Sequence, residues 1–303
     1  MTSAFDIRTG FELELLTPPG TTRLELADRI AIDQRLAVEL FDFISKVPLP
    51  VAATQSREAL RTLILDLAEH HGAKVGPIAP DLTHVYLVHR AAKIVGTEGA
   101  RFSVVHDNSL TGGERVAELV TTPLLRVELG ALEAALASVR SWEGVSLPEG
   151  SALHVHVDAE PLREARTLFA LTSLFSTHEG RLRTLLATSP KMTRAQPLPR
   201  KLVVALGNLA ARRAPFEAVE RAIGLYVSSR AFGLNLYNLV AKDPNKLTVE
   251  LKLAAATLDF RRIVAIRELF VAMVGWALRA QGPSSTDLFD TIELAEEHRR
   301  VLC

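Results

Sequence analysis

Four glutamates, two histidines and a lysine stand in short apolar stretches at alternating spacing. In Phe11–Leu16 (FELELL), Glu12 and Glu14 alternate with Phe11, Leu13 and Leu15. Residues i and i+2 of a strand share a face, so a strand here carries two acids on one side and bulky apolar groups on the other. Ser151–Asp158 (SALHVHVD) sets His154 and His156 opposite Val155 and Val157. Leu247–Leu253 (LTVELKL) sets Thr248, Glu250 and Lys252 opposite Val249, Leu251 and Leu253. Glu118 interrupts the apolar run Arg115–Thr121 (RVAELVT), and Phe102–Leu110 (FSVVHDNSL) carries Asp107, Asn108 and Ser109. If these strands share one sheet, their acids, histidines and lysine line one concave surface. Carboxylates gathered in this way repel and shift toward neutral forms unless countercharge is supplied. Divalent cations are the usual supply.

Such a surface needs strands joined by tight connections. Phe11–Leu16 reads as the first strand, closed by Pro18-Pro19-Gly20. Helical spacing follows in Asp28–Ile44 and in Arg57–His70, the latter with Ser56 as N-cap and Gly72 as stop. Thr83–His89, Phe102–Asp107 and Val116–Thr121 read as strands, and the Thr111–Glu114 turn (TGGE) makes the last two a hairpin. Leu129–Val139 is predicted helical, Ala152–Val157 a strand, and Pro161 opens a helix reaching about His178. Phe232–Val240 and Leu247–Ala254 flank the turn signal KDPNK at Lys242–Lys246, a second expected hairpin. Asp259 caps an apolar helix over Arg261–Ala280, and a charged helix is predicted over Thr286–Leu302. Helices with hairpin-linked strands, lacking a regular βαβ rhythm, predict an α+β protein around an antiparallel sheet. No domain boundary is evident, so the expectation is one domain over residues 1–303. A basic, proline-containing stretch at about 190–214 is its expected flexible segment, a flap over an anionic ligand.

Composition bounds the function classes. The 303 residues carry a formal net charge of +0, with 48% hydrophobic and 23% charged residues, an ordinary globular balance. A neutral chain does not predict nucleic-acid binding, which needs a basic surface. The single cysteine, Cys303, leaves no internal disulfide framework and no Cys-rich zinc site. The apolar stretch Val264–Leu278 is interrupted by Arg267 and Glu268 and is too short to span a bilayer. The N-terminal residues lack a basic region followed by a long apolar run. These features predict a cytoplasmic protein acting away from membranes. They leave the oligomeric state open.

The ordered set FELEL, VVHDNSL, AELVTTP, ALHVHVD, RAFGLN and TVELKL, from about Gly10 to Leu258, resembles the amidoligase family of carboxylate–amine ligases. That family is related to glutamine synthetase and to glutamate–cysteine ligase. The resemblance implies a curved antiparallel sheet with helices on its outer face. It also implies ATP with Mg²⁺ or Mn²⁺ as cofactors. The partners implied are a small-molecule or peptide carboxylate and an amine. Glu12 and Glu14 are similar to the family's first-strand E-x-E metal ligands. Asp107 and Glu118 match its central metal-holding acids, His154 the metal- or phosphate-binding histidine of H-x-H-V, and His156 the neighbour near the nucleotide phosphates. Glu250 matches the acid of T-x-E-[FL]-R, Asn235 the asparagine of the preceding strand, and Arg230 a substrate- or phosphate-contacting base. By the same resemblance, the catalytic residues are Lys252, Arg230 and Glu250. Lys252 stands where the family usually has Arg, so a point charge replaces a bidentate fork. Arg261 or Arg262 is the expected compensation.

A carboxylate does not condense with an amine at neutral pH, because oxide is too poor a leaving group. Phosphorylation supplies one, and phosphoryl transfer needs alignment and charge neutralisation above all. Two other readings compete. HVHVD is similar to the H-x-H strand end of barrel metallohydrolases, although here it falls mid-chain without a βα rhythm. A degenerate ligase that binds nucleotide without turnover is the non-enzymatic alternative.

Overall fold

The computed structural model describes residues 7–21, 23–30, 94–95, 102–105, 110, 112, 115–241, 247–280 and 287–303. The expected helix Arg57–His70, the strand Thr83–His89, Asp107 and the Lys242–Lys246 turn lie outside the described residues. Two compact units divide the chain. One comprises Glu12–Thr122 and Gly130–Pro148. The other comprises Met1–Phe11, Pro123–Leu129 and Glu149–Cys303.

The first unit is built on β1 (Thr9–Leu16), whose first three residues belong to the other unit. It continues with α1 (Arg23–Ile30), β2 (Ile94–Val95), β3 (Phe102–Val105), β4 (Val116–Thr121) and most of α2 (Leu129–Arg140). Helix α1 begins five residues before the expected Asp28 start. The strands run antiparallel in the order β2-β3-β4-β1. Alternation sets the faces: Phe11, Leu13 and Leu15 are at most 2% exposed, so the intervening acids take the other side. The predicted β3–β4 hairpin forms, pairing Phe102 with Thr121 and Val105 with Glu118. Gly112, between these two strands in sequence, lies close to β1. A Cβ at Gly112 would lie 2.7 Å from Leu16 Cδ2, so a side chain there would force Leu16 aside. On α2, Leu129, Leu132, Leu136 and Val139 form a buried stripe at helical spacing.

The second unit contains β5 (Ala152–Asp158), α3 (Ala165–Leu185), α4 (Arg200–Ala211) and α5 (Phe216–Tyr226). After these come β6 (Leu234–Asn235), β7 (Thr248–Ala255), α6 (Phe260–Arg279), α7 (Leu288–Thr291) and α8 (Glu296–Leu302). Its strands are antiparallel in the order β5-β7-β6. Helix α6 packs on α3, α8 and β5, and α3 packs on α4 and β7. Val155, Val157, Val249, Leu251 and Leu253 are fully buried, which turns the polar faces of β5 and β7 the other way. The molecule is thus α+β, with antiparallel strands and packed helices.

Asp259 caps α6 as expected, its carboxylate accepting from Arg261 N at 2.9 Å. Within the apolar stripe of α6 lies Arg267, only 2% exposed. Its guanidinium donates to Thr9 Oγ1 at 2.9 Å, to the Ile7 carbonyl at 2.8 Å and to Glu268 Oε1 at 2.5 Å. A buried charge persists only with partners of this kind, and here they fasten the start of β1 to α6.

Three elements differ from expectation. Pro161 sits in a single 3-10 turn, Glu160–Leu162, and the long helix α3 starts only at Ala165. The last charged helix is broken into α7 and α8. Ile292 is extended (φ −109°, ψ 145°), and both Ile292 and Leu294 are buried, so apolar burial overrides helix continuation. In the second expected hairpin, β6 is only two residues long and gives way to a 3-10 turn at Tyr237–Leu239. In the 190–214 stretch, Leu202 and Leu206 of α4 are buried, and Gln196 donates its N–H to Ala231 O while accepting from Gly233 N, both at 2.8 Å.

Candidate functional site

In the first unit the register of β1 against β4 pairs Glu14 with Glu118 and Glu12 with Val120. Directly opposed residues of an antiparallel pair point to the same face, as do i and i+2 neighbours. Glu12, Glu14 and Glu118 therefore share one face, as the alternating sequence predicts. Glu14 is 3% exposed, and the other two are half-buried. Carboxylate oxygens of Glu12 and Glu118 lie within 4.8 Å of each other. Hard, anionic oxygen donors at this spacing suit a hard cation better than a soft metal.

The second unit gathers four predicted residues around the carboxylate of a fifth. Glu250 on β7 stands opposite His156 on β5 and opposite Asn235 on β6. Its Oε1 lies 3.1 Å from Lys252 Nζ, 3.3 Å from His154 Nδ1 and 3.4 Å from His156 Nε2. Its Oε2 accepts from Asn235 Nδ2 at 2.6 Å. Glu250, His154, Lys252 and Asn235 are each at most 5% exposed, so charge and hydrogen bonding are strong here for want of competing water.

A register shift builds this cluster. Leu153 pairs with Ala254 and Val155 with Leu251, so the single residue His154 faces two residues, Lys252 and Leu253. This is a β-bulge, a device that re-aims side chains and recurs beside active sites. The backbone N–H of Lys252 donates to Gly233 O at 2.8 Å. A Cβ at Gly233 would fall 2.4 Å from Leu253 Cδ2, so a side chain there would force the buried Leu253 aside.

Other predicted residues lie less centrally. The Arg230 guanidinium stacks over the Tyr237 ring at 5.5 Å, and Tyr237 N in turn donates to Asn235 Oδ1 at 2.9 Å. Arg262 donates to the carbonyls of Val301 and Leu185, and Arg261 is exposed at the start of α6. These bonds tie the start of α6 to the C-terminal ends of α8 and α3. Two polar residues were given no role by the sequence reading. Thr248 Oγ1 lies 3.2 Å from His156 Nδ1 and accepts from Asn238 Nδ2 at 2.9 Å. The signal for Asn238 was its place three residues after Asn235, in the 3-10 turn Tyr237–Leu239 that follows β6.

No helix among the described residues is long and apolar enough to cross a membrane. No curated protein matches the chain. The family model described as "Putative amidoligase enzyme" matches residues 6–274. That span takes in β1, β4, β5, β6 and β7 and every residue placed above in the two polar groups. The order of its acids and histidines, their placement on the polar strand faces and this match agree: the chain belongs to the amidoligase family.

Proposed function

We propose that the protein is an ATP-dependent carboxylate–amine ligase acting through an acyl phosphate, on a glutamine synthetase-like fold. The observation that carries this reading is Glu250 Oε1, held within 3.1–3.4 Å of Lys252, His154 and His156 on the strands that the family motifs occupy. Basic groups arranged around a buried acid provide a receptor for anionic phosphoryl groups and a carboxylate that can take a proton.

The donor set fits a divalent cation. In the first unit Glu12, Glu14 and Glu118, and in the second unit His154 and Glu250, are the residues that would hold Mg²⁺ or Mn²⁺, with oxygen donors dominating in each as such ions require. The cation, when bound, would neutralise β- and γ-phosphate oxygens of ATP. In the first step an oxygen of the substrate carboxylate attacks the γ-phosphorus, the bridging P–O bond breaks, and ADP leaves. Lys252 and Arg230 balance the charge moving onto the transferred group, while His156 and Asn235 contribute to nucleotide binding. In the second step the amine nitrogen attacks the acyl carbon, the C–O bond to phosphate breaks, and inorganic phosphate leaves. A site carboxylate accepts the ammonium proton. The acid and amine are small molecules or peptides.

Lys252, in place of the family's usual arginine, favours one second reading: a nucleotide-binding relative without turnover. Both are tested by measuring ADP release with Mg²⁺ and ATP over pooled acids and amines. Amine-dependent ADP release with amide product, absent in Lys252→Met, supports the ligase. Nucleotide binding with no release over the whole pool supports the non-enzyme.

A further inference from the structure

Asn235 is fully buried on β6, opposite Glu250 on β7. Its amide has an acceptor end and a donor end, and the way it points decides what it does to Glu250. Tyr237 settles the direction. Its backbone N–H opens the 3-10 turn Tyr237–Leu239, where the first N–H groups find no acceptor within the turn. It donates to Asn235 Oδ1 at 2.9 Å, the bond two residues on that asparagine side chains commonly make. A backbone N–H only donates, so Oδ1 lies on that side and Nδ2 on the other. Nδ2 donates to Glu250 Oε2 at 2.6 Å.

We infer that Asn235 is a positioning residue that holds Glu250 by Oε2 and so turns Oε1 toward Lys252, His154 and His156. The last torsion of a glutamate side chain is broad, so its own rotamer does not set the plane of the carboxylate. A hydrogen bond to one oxygen does. The other oxygen, Oε1, is the one 3.1 Å from Lys252 Nζ and 3.3 Å from His154 Nδ1. Asn235 has no exposed surface and both ends of its amide are engaged, so its part in nucleotide binding is played through Glu250. The task needs an amide, because only an amide accepts at one end and donates at the other. Aspartate could accept from Tyr237 but would set a second carboxylate against Oε2. Serine could accept from Tyr237 but is too short to reach Glu250. The reach itself comes from the register, which places Asn235 and Glu250 directly opposite each other.

The inference rests on the ligase reading only for what Oε1 serves, and its test needs no turnover. Asn235→Ser keeps an acceptor for Tyr237 N and removes the donor to Glu250. Crystal structures of the parent and of this variant, both free of metal and nucleotide, read the carboxylate directly. The parent should show Asn235 Nδ2 on Oε2, and the variant should lose that single orientation of Glu250. An unchanged orientation in the variant overturns the inference. The consequence is read by titrating Mn²⁺ alone into nucleotide-free protein and following the free ion by electron paramagnetic resonance. Asn235→Ser should weaken binding by about 10–100-fold, as for other residues that orient a metal ligand, and should add no further loss in a Glu250→Gln background. Parent-like affinity in folded Asn235→Ser overturns the inference. So do losses that add in the double variant, because Asn235 would then have a ligand contact of its own. A parent that binds no Mn²⁺ counts against the cation of the ligase reading, while the orientation of Glu250 still decides the inference. The ADP-release assay decides the ligase reading by itself.

Discussion

Glu14 on β1 stands directly opposite Glu118 on β4. Like charges in that position disfavour strand pairing by roughly 0.2–1 kcal/mol, a cost that a bound cation would reverse. Mg²⁺ or Mn²⁺ should therefore raise the melting temperature of the parent protein. Glu14→Gln, which removes one charge and keeps the side-chain shape, should show a much smaller rise. Differential scanning fluorimetry across a metal titration measures both. An equal rise in the two proteins would remove these acids from the metal site.

Strand faces and helix caps were legible because each rests on local chemistry. Alternation in Phe11–Leu16 sets Phe11, Leu13 and Leu15 inside, and Asp259 caps α6 through its own i+2 N–H. What the sequence did not disclose depends on partners distant in the chain. The bulge opposite His154 is visible only once β5 and β7 are in register. Arg267 reads as an interruption of an apolar helix, yet it is buried because Ile7 and Thr9, some 260 residues away, supply its acceptors. The break at Ile292 arises from burial of Ile292 and Leu294, against the helical preference of the charged residues around them.

Asp287 links α7 to α3. Its carboxylate accepts from Arg181 and from Phe289 N at 2.8 Å, and the hydrogen bond from Arg181 holds its pKa below the ordinary 3.8. A group with a depressed folded-state pKa stabilises fully above its unfolded value and loses that contribution as pH falls through the folded one. The parent should therefore lose thermal stability more steeply than Asp287→Ala as pH drops below about 4. Melting curves from neutral pH to about pH 2.5 should converge at the acid end. Parallel curves would show that the Arg181 contact contributes nothing.

The segment around Gln196 is tied to the strand that carries Asn235. Gln196 bonds Ala231 and Gly233 through its backbone, and Gly233 O accepts from Lys252 N. Ligand at Glu250 and Lys252 should therefore be felt at the neighbouring tryptic sites. Cleavage after Arg194 or Arg200 should slow when Mg²⁺ and a non-hydrolysable ATP analogue are added. Timed digestion followed by mass spectrometry reads the rate. Unchanged cleavage at demonstrated saturation would separate the basic stretch from the site and remove its flap role.

Lys252 carries the most consequential prediction. Its Nζ lies 3.1 Å from Glu250 Oε1, and its side chain is 6% exposed, so its charge is poorly screened by water. Lys252→Met removes the charge at similar length. Two effects follow and can be separated. Glu250 loses a buried countercharge, which should lower stability by about 3–5 kcal/mol, as for other broken buried pairs. The transferring phosphoryl group loses one preorganised donor, which should lower kcat by about 10²-fold or more. Lys252→Arg keeps the charge and adds the planar fork common in the family, so it should retain activity, provided the larger guanidinium fits beside the bulge. Chemical denaturation gives the first quantity and steady-state ADP release at saturating ATP the second. Normal kcat in a folded but destabilised Lys252→Met would make the lysine a structural partner of Glu250 and leave the phosphoryl group to Arg230.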